Sequence, residues 1–266
     1  MRFSQLIASG LLAALLLPLP PVVQAEKSAT EPSSSDPLEG FNRGMYRFND
    51  TADRALVKPA ARAYRAVLPS FVRRGVGNFV GNLGSTTTLA NSLLQGKWQN
   101  ALDDATRLVL NTTFGLGGLL DPASAAGIPR NDEDFGQTLG HWGVPSGPYL
   151  VLPLLGPSTL RDAIGLYPDV LTDGRRLAAR HAFEKGDEDR DTFLLVVGGL
   201  TLLHQRERLL DLEPTLEGTF DPYAFLRDAY LDRRRFQVAD GAIEEDDEWI
   251  LELEREAGME PEQDPQ

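Results

Sequence analysis

Apolar and polar positions recur along most of this chain with the period of a helix. Phe41, Met45, Phe48, Ala52 and Leu56 fall at three- and four-residue spacing, which predicts a helix with one apolar face. Asp36-Pro37-Leu38-Glu39 opens it with a capping acceptor, a proline at the first helical position and an early acid. Lys97 to Phe114 predicts a second helix, striped by Trp98, Leu102, Ala105, Val109 and Thr112 and stopped by Gly115-Leu116-Gly117-Gly118. The Asp-Pro start recurs at Asp121-Pro122 and Asp221-Pro222. The latter leads into YAFLRDAYLDRRRF, with Tyr223, Leu226 and Tyr230 on one face and Arg227 and Arg234 on another. Thr192 to Leu210 predicts a further helix whose centre, FLLVVGGLTLL, is apolar all round and therefore either fully buried or partly in lipid. The glycine-punctuated stretch from Gly75 to Gly84 reads as a turn joining two shorter helices. Strand-like alternation is confined to Tyr149-Leu150-Val151-Leu152, half of a small hairpin. The fold class is mostly α, in one domain.

One segment breaks the helical period. From Gly136 to Leu160 there is no Asp, Glu, Lys or Arg, and nine of the twenty-five residues are Gly or Pro. A water-facing loop of that length is polar, and a spanning helix needs about 20 apolar residues without repeated breakers. The remaining options are a loop buried against its own protein, or irregular backbone near a membrane where protein satisfies its amides.

Charge sharpens the domain limits. The 266 residues carry a net −13, but Asp240 to Gln266 holds twelve acids against Arg255 alone and so accounts for −11 of it. The rest is nearly neutral, which leaves residues 242–266 as a solvated, disordered acidic tail and disfavours nucleic acid as a ligand. Residues 1–25 read as a cleavable signal peptide, with Arg2, an apolar Leu6 to Leu17 and a Val23-Gln24-Ala25 cleavage site. Residues 26–35 have linker composition, and 36–241 form the helical domain. With no cysteine, a disulfide, a thiolate-bound metal and a lipid anchor on an N-terminal Cys are all excluded. The expectation is an exported protein that does not cross a membrane by helix.

No catalytic constellation emerges. His141, His181 and His204 lack metal-ligand spacing, and no nucleophile elbow frames a serine. Gly115-x-Gly117-Gly118 lacks the third glycine and preceding strand of a dinucleotide loop, so it reads as a helix stop. Asp132-Glu133-Asp134 reads as a solvated acidic turn, short of the ligands of a calcium loop. Arg161-Asp162, the first charges after the neutral stretch, form either a local ion pair or a polar point on the wall of an apolar passage; Ser158 or Thr159 caps their helix. Arg227 and Arg233 to Arg235 are either a solvated charged face or a contact for phosphate groups.

Long motifs in fixed order carry a resemblance: DPLEGFNRGMYRFND (36–50), GNFVGNL (77–83), RLVLNTTFGLGGLLDPA (107–123), FGQTLGHWGVPSGPYLVLPLLGPSTLRD (135–162) and DPYAFLRDAYLDRRR (221–235). On these the chain resembles the MlaA family, also called VacJ. The resemblance implies a ring of helices lying in one leaflet of the outer membrane on its periplasmic side, with a central amphipathic channel. It also implies a function: removal of mislocalised phospholipid from the outer leaflet and delivery to a soluble periplasmic carrier, in company with a trimeric porin. It implies no catalysis and no cofactor. A scaffold that binds a porin without moving lipid is the alternative. Within this frame Gly115, Gly117, Gly118, Trp142, Tyr149, Arg161 and Asp162 are the candidate channel or gate residues. Leu150, Val151, Leu152, Leu154 and Leu155 are the candidate membrane-facing ones.

Overall fold

The computed structural model describes residues 36–184, 187–214 and 218–241. The signal peptide, the linker and the acidic tail from 242 onward lie outside the described residues. Helices dominate: α1 (Glu39–Ala52), a π-helical turn (Asp53–Val57), α2 (Lys58–Val67), α3 (Ser70–Leu94), α4 (Trp98–Thr113), α5 (Pro122–Ala125), α6 (Phe135–His141), then strands β1 (Tyr149–Leu152) and β2 (Gly156–Thr159), α7 (Leu160–Thr172), α8 (Gly174–Ala182), α9 (Glu188–Leu209), a 3₁₀ turn (Leu210–Leu212) and α10 (Pro222–Val238). The two strands pair antiparallel, from Tyr149 opposite Thr159 to Leu152 opposite Gly156, as one small hairpin. No described helix is long and apolar enough to cross a membrane.

The Asp-Pro signals start elements as expected. Asp121 and Asp221 cap α5 and α10 by accepting from the amides of Ser124 and Ala224. Asp36 acts one turn before α1, accepting from Leu38 N at 2.9 Å. Leu68 ends α2 in an extended conformation because Pro69 follows it. Thr159 caps α7 through Asp162 N.

Gly75 to Gly84 is not a turn. It lies inside α3, an unbroken helix of 25 residues. Two of its glycines serve close packing: a Cβ on Gly77 would lie 2.4 Å from the His204 ring of α9, and one on Gly81 would lie 2.4 Å from the Arg130 guanidinium. Partners that approach the backbone this closely compensate the ~1 kcal/mol of helix propensity each glycine costs.

The helices are turned inside out relative to a water-soluble fold. In α1 and the π-helical turn after it the apolar positions Phe41, Phe48 and Leu56 point outward, while Asn42 is buried. In α4 the stripe of Trp98, Leu102 and Val109 is exposed, and Ala101, Asp104, Arg107 and Asn111 face in. The apolar centre of α9 buries Val197 and exposes Leu195, Val196 and Leu202, which answers its two-way reading in favour of an outward apolar surface. Among the described residues buried polar and charged side chains outnumber buried apolar ones two to one.

Candidate functional site

The hairpin is seated on α1 by two asparagines. Asn42 donates to Tyr149 O at 3.0 Å and accepts from Val151 N at 2.9 Å. Asn49 donates to Leu152 O at 2.8 Å and accepts from Leu154 N at 2.7 Å. Seven helical residues advance about 10.5 Å, and three strand residues about 10 Å, so the two carboxamides match the rise of the hairpin edge. Each imitates the donor-acceptor pair of a neighbouring strand. Below the hairpin Tyr149, Val151 and Tyr223 make a small apolar core with Met45, Tyr46, Tyr230 and Leu231 against it. Arg43 stacks over Tyr223 at 4.4 Å and forks onto Asp221.

Beside this core lies a buried ionic cluster. Asp162 of α7 accepts from Arg234 Nη2 at 2.8 Å, Tyr230 Oη at 2.7 Å and Arg161 Nε at 3.2 Å. Arg234 also forks onto Asp134, the N-cap of α6, at 2.7 and 2.9 Å. Burial alone would raise the Asp162 and Asp134 carboxyls, but the Arg234 bonds, with Tyr230 at Asp162, outweigh it and hold both below the usual range. The same burial would lower Arg234, and its two carboxylate partners raise it instead. Asp134, Asp162 and Arg234 therefore stay charged, and one arginine ties α10 to α6 and α7.

Glycine makes the cluster possible. A Cβ on Gly136 would sit 2.4 Å from Asp162 Oδ1, one on Gly140 2.8 Å from Arg161 Nη1, and one on Gly165 2.6 Å from Gly136 N. The four-residue spacing of Gly136 and Gly140 thus strips one face of α6 so that it can lie on α7. A third carboxylate, Asp169, accepts from Phe135 N and from Asn91 Nδ2. Burial dominates there and pushes it up to about 6, against the lowering effect of those bonds.

The residues singled out from sequence do not form one constellation. Arg161, Asp162 and Tyr149 come together, Tyr149 reaching the cluster through Tyr230, whose ring lies 6.2 Å away. Arg161 and Asp162 are both buried and bonded to each other and to protein partners, which favours the local ion pair over an open polar point. Trp142 is exposed elsewhere, its indole donating to Leu94 O at 3.1 Å. Gly115, Gly117 and Gly118 form a separate turn against α3, where a Cβ on Gly118 would meet Asn82 at 2.6 Å. Gly117 and Gly118 have φ of 72° and 99°, and Leu116 stands outward at 55°.

Two readings need correction. Val151, expected to face the membrane, is 2% exposed, because Asn42 pulls its amide inward and strand alternation carries its side chain into the tyrosine core. Leu150 and Leu152 are half-buried, whereas Leu154 and Leu155 are each 70% exposed at the hairpin tip. The acidic turn at 132–134 is not solvated as a whole. Glu133 is buried on Lys97 and Gln95, Asp134 holds Arg234, and Asp132 alone is open to solvent. Among the described residues no group of three or more His, Asp or Glu is placed to hold a metal ion. The sequence singles out none of Asn42, Asn49 and Asp169, and it places Asp134 in an acidic turn and Tyr230 on a helix face without linking them to Arg234 and Asp162. The one signal that pointed to the asparagines was their seven-residue spacing within an apolar helix.

The geometry has counterparts among known proteins. A family described as MlaA lipoprotein matches residues 34–237. The intermembrane phospholipid transport system lipoprotein MlaA of Escherichia coli (strain K12) is 39% identical over 242 residues, covering 86% of this chain and 89% of that protein. Its namesake in Haemophilus influenzae is 33% identical over 217 residues, covering 80% and 83%. A solved chain described under the structural basis for maintenance of bacterial outer membrane lipid asymmetry matches at a TM-score of 0.65 and 36% identity, over 77% of this chain and 100% of that one.

Proposed function

The chain belongs to the MlaA lipoprotein family, and we propose that it transports phospholipid, withdrawing mislocalised molecules from the outer leaflet of the outer membrane and passing them toward the periplasm. The observation that carries this reading is the inverted distribution of side chains. Phe41, Phe48, Trp98, Leu154 and Leu195 are exposed while Asn42, Asn91, Asp104, Arg107 and Asp162 are buried. Soluble monomers rarely display apolar surface on this scale, and where it occurs it marks a lipid or partner interface. With no described helix able to span a bilayer, the protein lies in one leaflet with its apolar helix faces among acyl chains.

Transport of this kind breaks no bond. It requires an apolar surface for acyl chains, polar groups for the head group and a rigid frame. The Asp134–Arg234–Asp162 cluster and the asparagine-seated hairpin are the frame. Trp142, Leu154, Leu155 and the Gly115–Gly118 turn with Leu116 are the lipid contacts, and Arg161 and Asp162 position them rather than touch lipid. A porin anchors the protein and a soluble carrier receives the lipid. The relatives are named lipoproteins, while this chain has no cysteine; its exposed apolar surface supports retention at the membrane.

The test is a deletion strain whose surface-exposed phospholipid is measured, with lipid extraction from the purified full chain. Accumulation of phospholipid at the cell surface and its co-purification with the protein are expected. Normal asymmetry together with a lipid-free protein would sink the proposal.

A further inference from the structure

α7 and α8 together carry a surface of a different kind from the rest of the apolar exterior. On α7 the outward positions Leu160, Ile164, Tyr167 and Leu171 follow one another at spacings of four, three and four, and all are exposed. The opposite face holds Arg161, Asp162 and Gly165 against α6. The stripe stops at Asp173, whose carboxylate accepts from the amide and the guanidinium of Arg175 and so fixes the turn into α8. α8 then packs inward through Gly174, where a Cβ would meet Leu83 O at 2.3 Å, and through Ala179, which is fully buried. Packing on that face leaves Arg176, Arg180 and His181 outside. Arg176 and Arg180 are one turn apart. α8 contains no acid, and neither arginine side chain has a hydrogen bond or ion pair among the described residues. Of the carboxylates flanking α8, Glu184 is exposed and makes no side-chain bond to either arginine, and two are engaged. Asp173 is taken by Arg175, and Asp187 caps α9, whose first turn carries Glu188, Asp189 and Asp191 at the positive end of that helix.

We infer that α8 is a headgroup-binding helix for anionic phospholipid, seating Arg176 and Arg180 at the phosphate level of a bilayer whose acyl chains take the α7 stripe. The inference rests on the lipid-facing reading of the exterior and adds lipid selectivity to it. Most other arginines of the described chain are neutralised: Arg43 by Asp221, Arg65 by Glu207 and Asp211, Arg206 by Asp53, Arg107 by Asp121 and Arg234 by two aspartates. Two exposed arginines one turn apart, without an ion pair and at the end of an apolar stripe, are complementary to the phosphate anion that a membrane surface supplies. Arginine suits the role, since its planar fork takes phosphate oxygens two at a time. Its stem also lies along apolar surface while the head reaches the interface.

The experiment is flotation of the purified full chain with vesicles of phosphatidylcholine alone and of phosphatidylcholine with phosphatidylglycerol, at low and high salt. The wild type is expected to bind both and to prefer the anionic vesicles, the preference fading as salt screens it. Arg176→Gln with Arg180→Gln should keep the melting temperature, since both side chains are exposed and unpaired. It should lose about thirty-fold of the anionic preference and bind neutral vesicles as before. Ile164→Asn with Leu171→Asn should weaken binding to both. Equal binding of the wild type to both compositions, or a preference that survives the arginine substitutions, overturns the inference and leaves the lipid-facing reading intact. Binding to neither composition overturns both.

Discussion

At the scale of single residues, the decisive side chains are polar and buried. Arg234 is the most consequential, because its guanidinium is divided between Asp134 and Asp162. Removing one partner from a buried ion pair leaves the other charge without compensation, at about 3–5 kcal/mol. Arg234→Ala should therefore lower stability by that order in chemical denaturation, and Asp162→Asn by less, since Asn still accepts a bond. A loss below ~1 kcal/mol for Arg234→Ala would refute the central place given to the cluster. Asp169 makes a different prediction. Its folded pKa of about 6 lies above the ordinary 3.8, so the folded state binds the proton more tightly than the unfolded state. Its contribution to stability is then fully present below pH ~4 and is lost as pH rises toward 6. Asp169→Asn cannot titrate, so its melting temperature should fall less steeply than that of the wild type across this window. Parallel melting curves for the two proteins would rule out the assignment.

At the scale of elements, glycine has two separable uses. In α3, Gly84 has nothing within 4 Å of a built Cβ, whereas the Gly174 Cβ of α8 would strike a backbone carbonyl of α3 at 2.3 Å. Gly84→Ala should stabilise by ~0.5–1 kcal/mol through helix propensity, and Gly174→Ala should destabilise by more than that. Thermal melts of the two variants in one detergent decide it, and equal effects would contradict the packing account. This is also where the sequence reading was least able to see. Periodicity located α1, α4, α9 and α10, because caps and helical spacing are local. It misread Gly75 to Gly84 as a turn, because close approach to His204 and Arg130 is a tertiary fact that leaves the same glycines in the sequence. The hairpin was legible at Tyr149–Leu152, yet the burial of Val151 was not. Which strand face is inward depends on Asn42 reaching across from α1. Asn42→Ala would leave Val151 N and Tyr149 O without that partner, a cost of about 1–3 kcal/mol for each group stranded from water. Hydrogen exchange should then quicken at residues 149–155 before it does elsewhere, and uniform exchange would show that the hairpin is held by other means.

At the scale of the whole molecule, inversion of the usual burial pattern makes a prediction that neither residue nor element supplies alone. In a water-soluble protein, replacing an apolar helix position by a charge is costly and replacing a polar one by an apolar residue is mild. Here the two should exchange places. Phe41 and Phe48 of α1 are exposed, at 56% and 54%, and make no core, so Phe41→Asp and Phe48→Asp should leave stability in detergent within ~1 kcal/mol. The same changes remove two side chains that each gain about 1.5–3 kcal/mol on leaving water, so association with membranes should weaken sharply. Asn42 sits on the same helix one residue from Phe41, is fully buried and makes four hydrogen bonds to three residues, Asp36, Tyr149 and Val151. Asn42→Leu, of similar size, should leave membrane affinity almost unchanged while unfolding the hairpin seam. Measuring denaturation and vesicle binding for all three variants separates the two quantities. If the phenylalanine variants lose stability and keep membrane affinity, the outward face of α1 is covered by protein instead of lipid, and the single-leaflet placement fails with it.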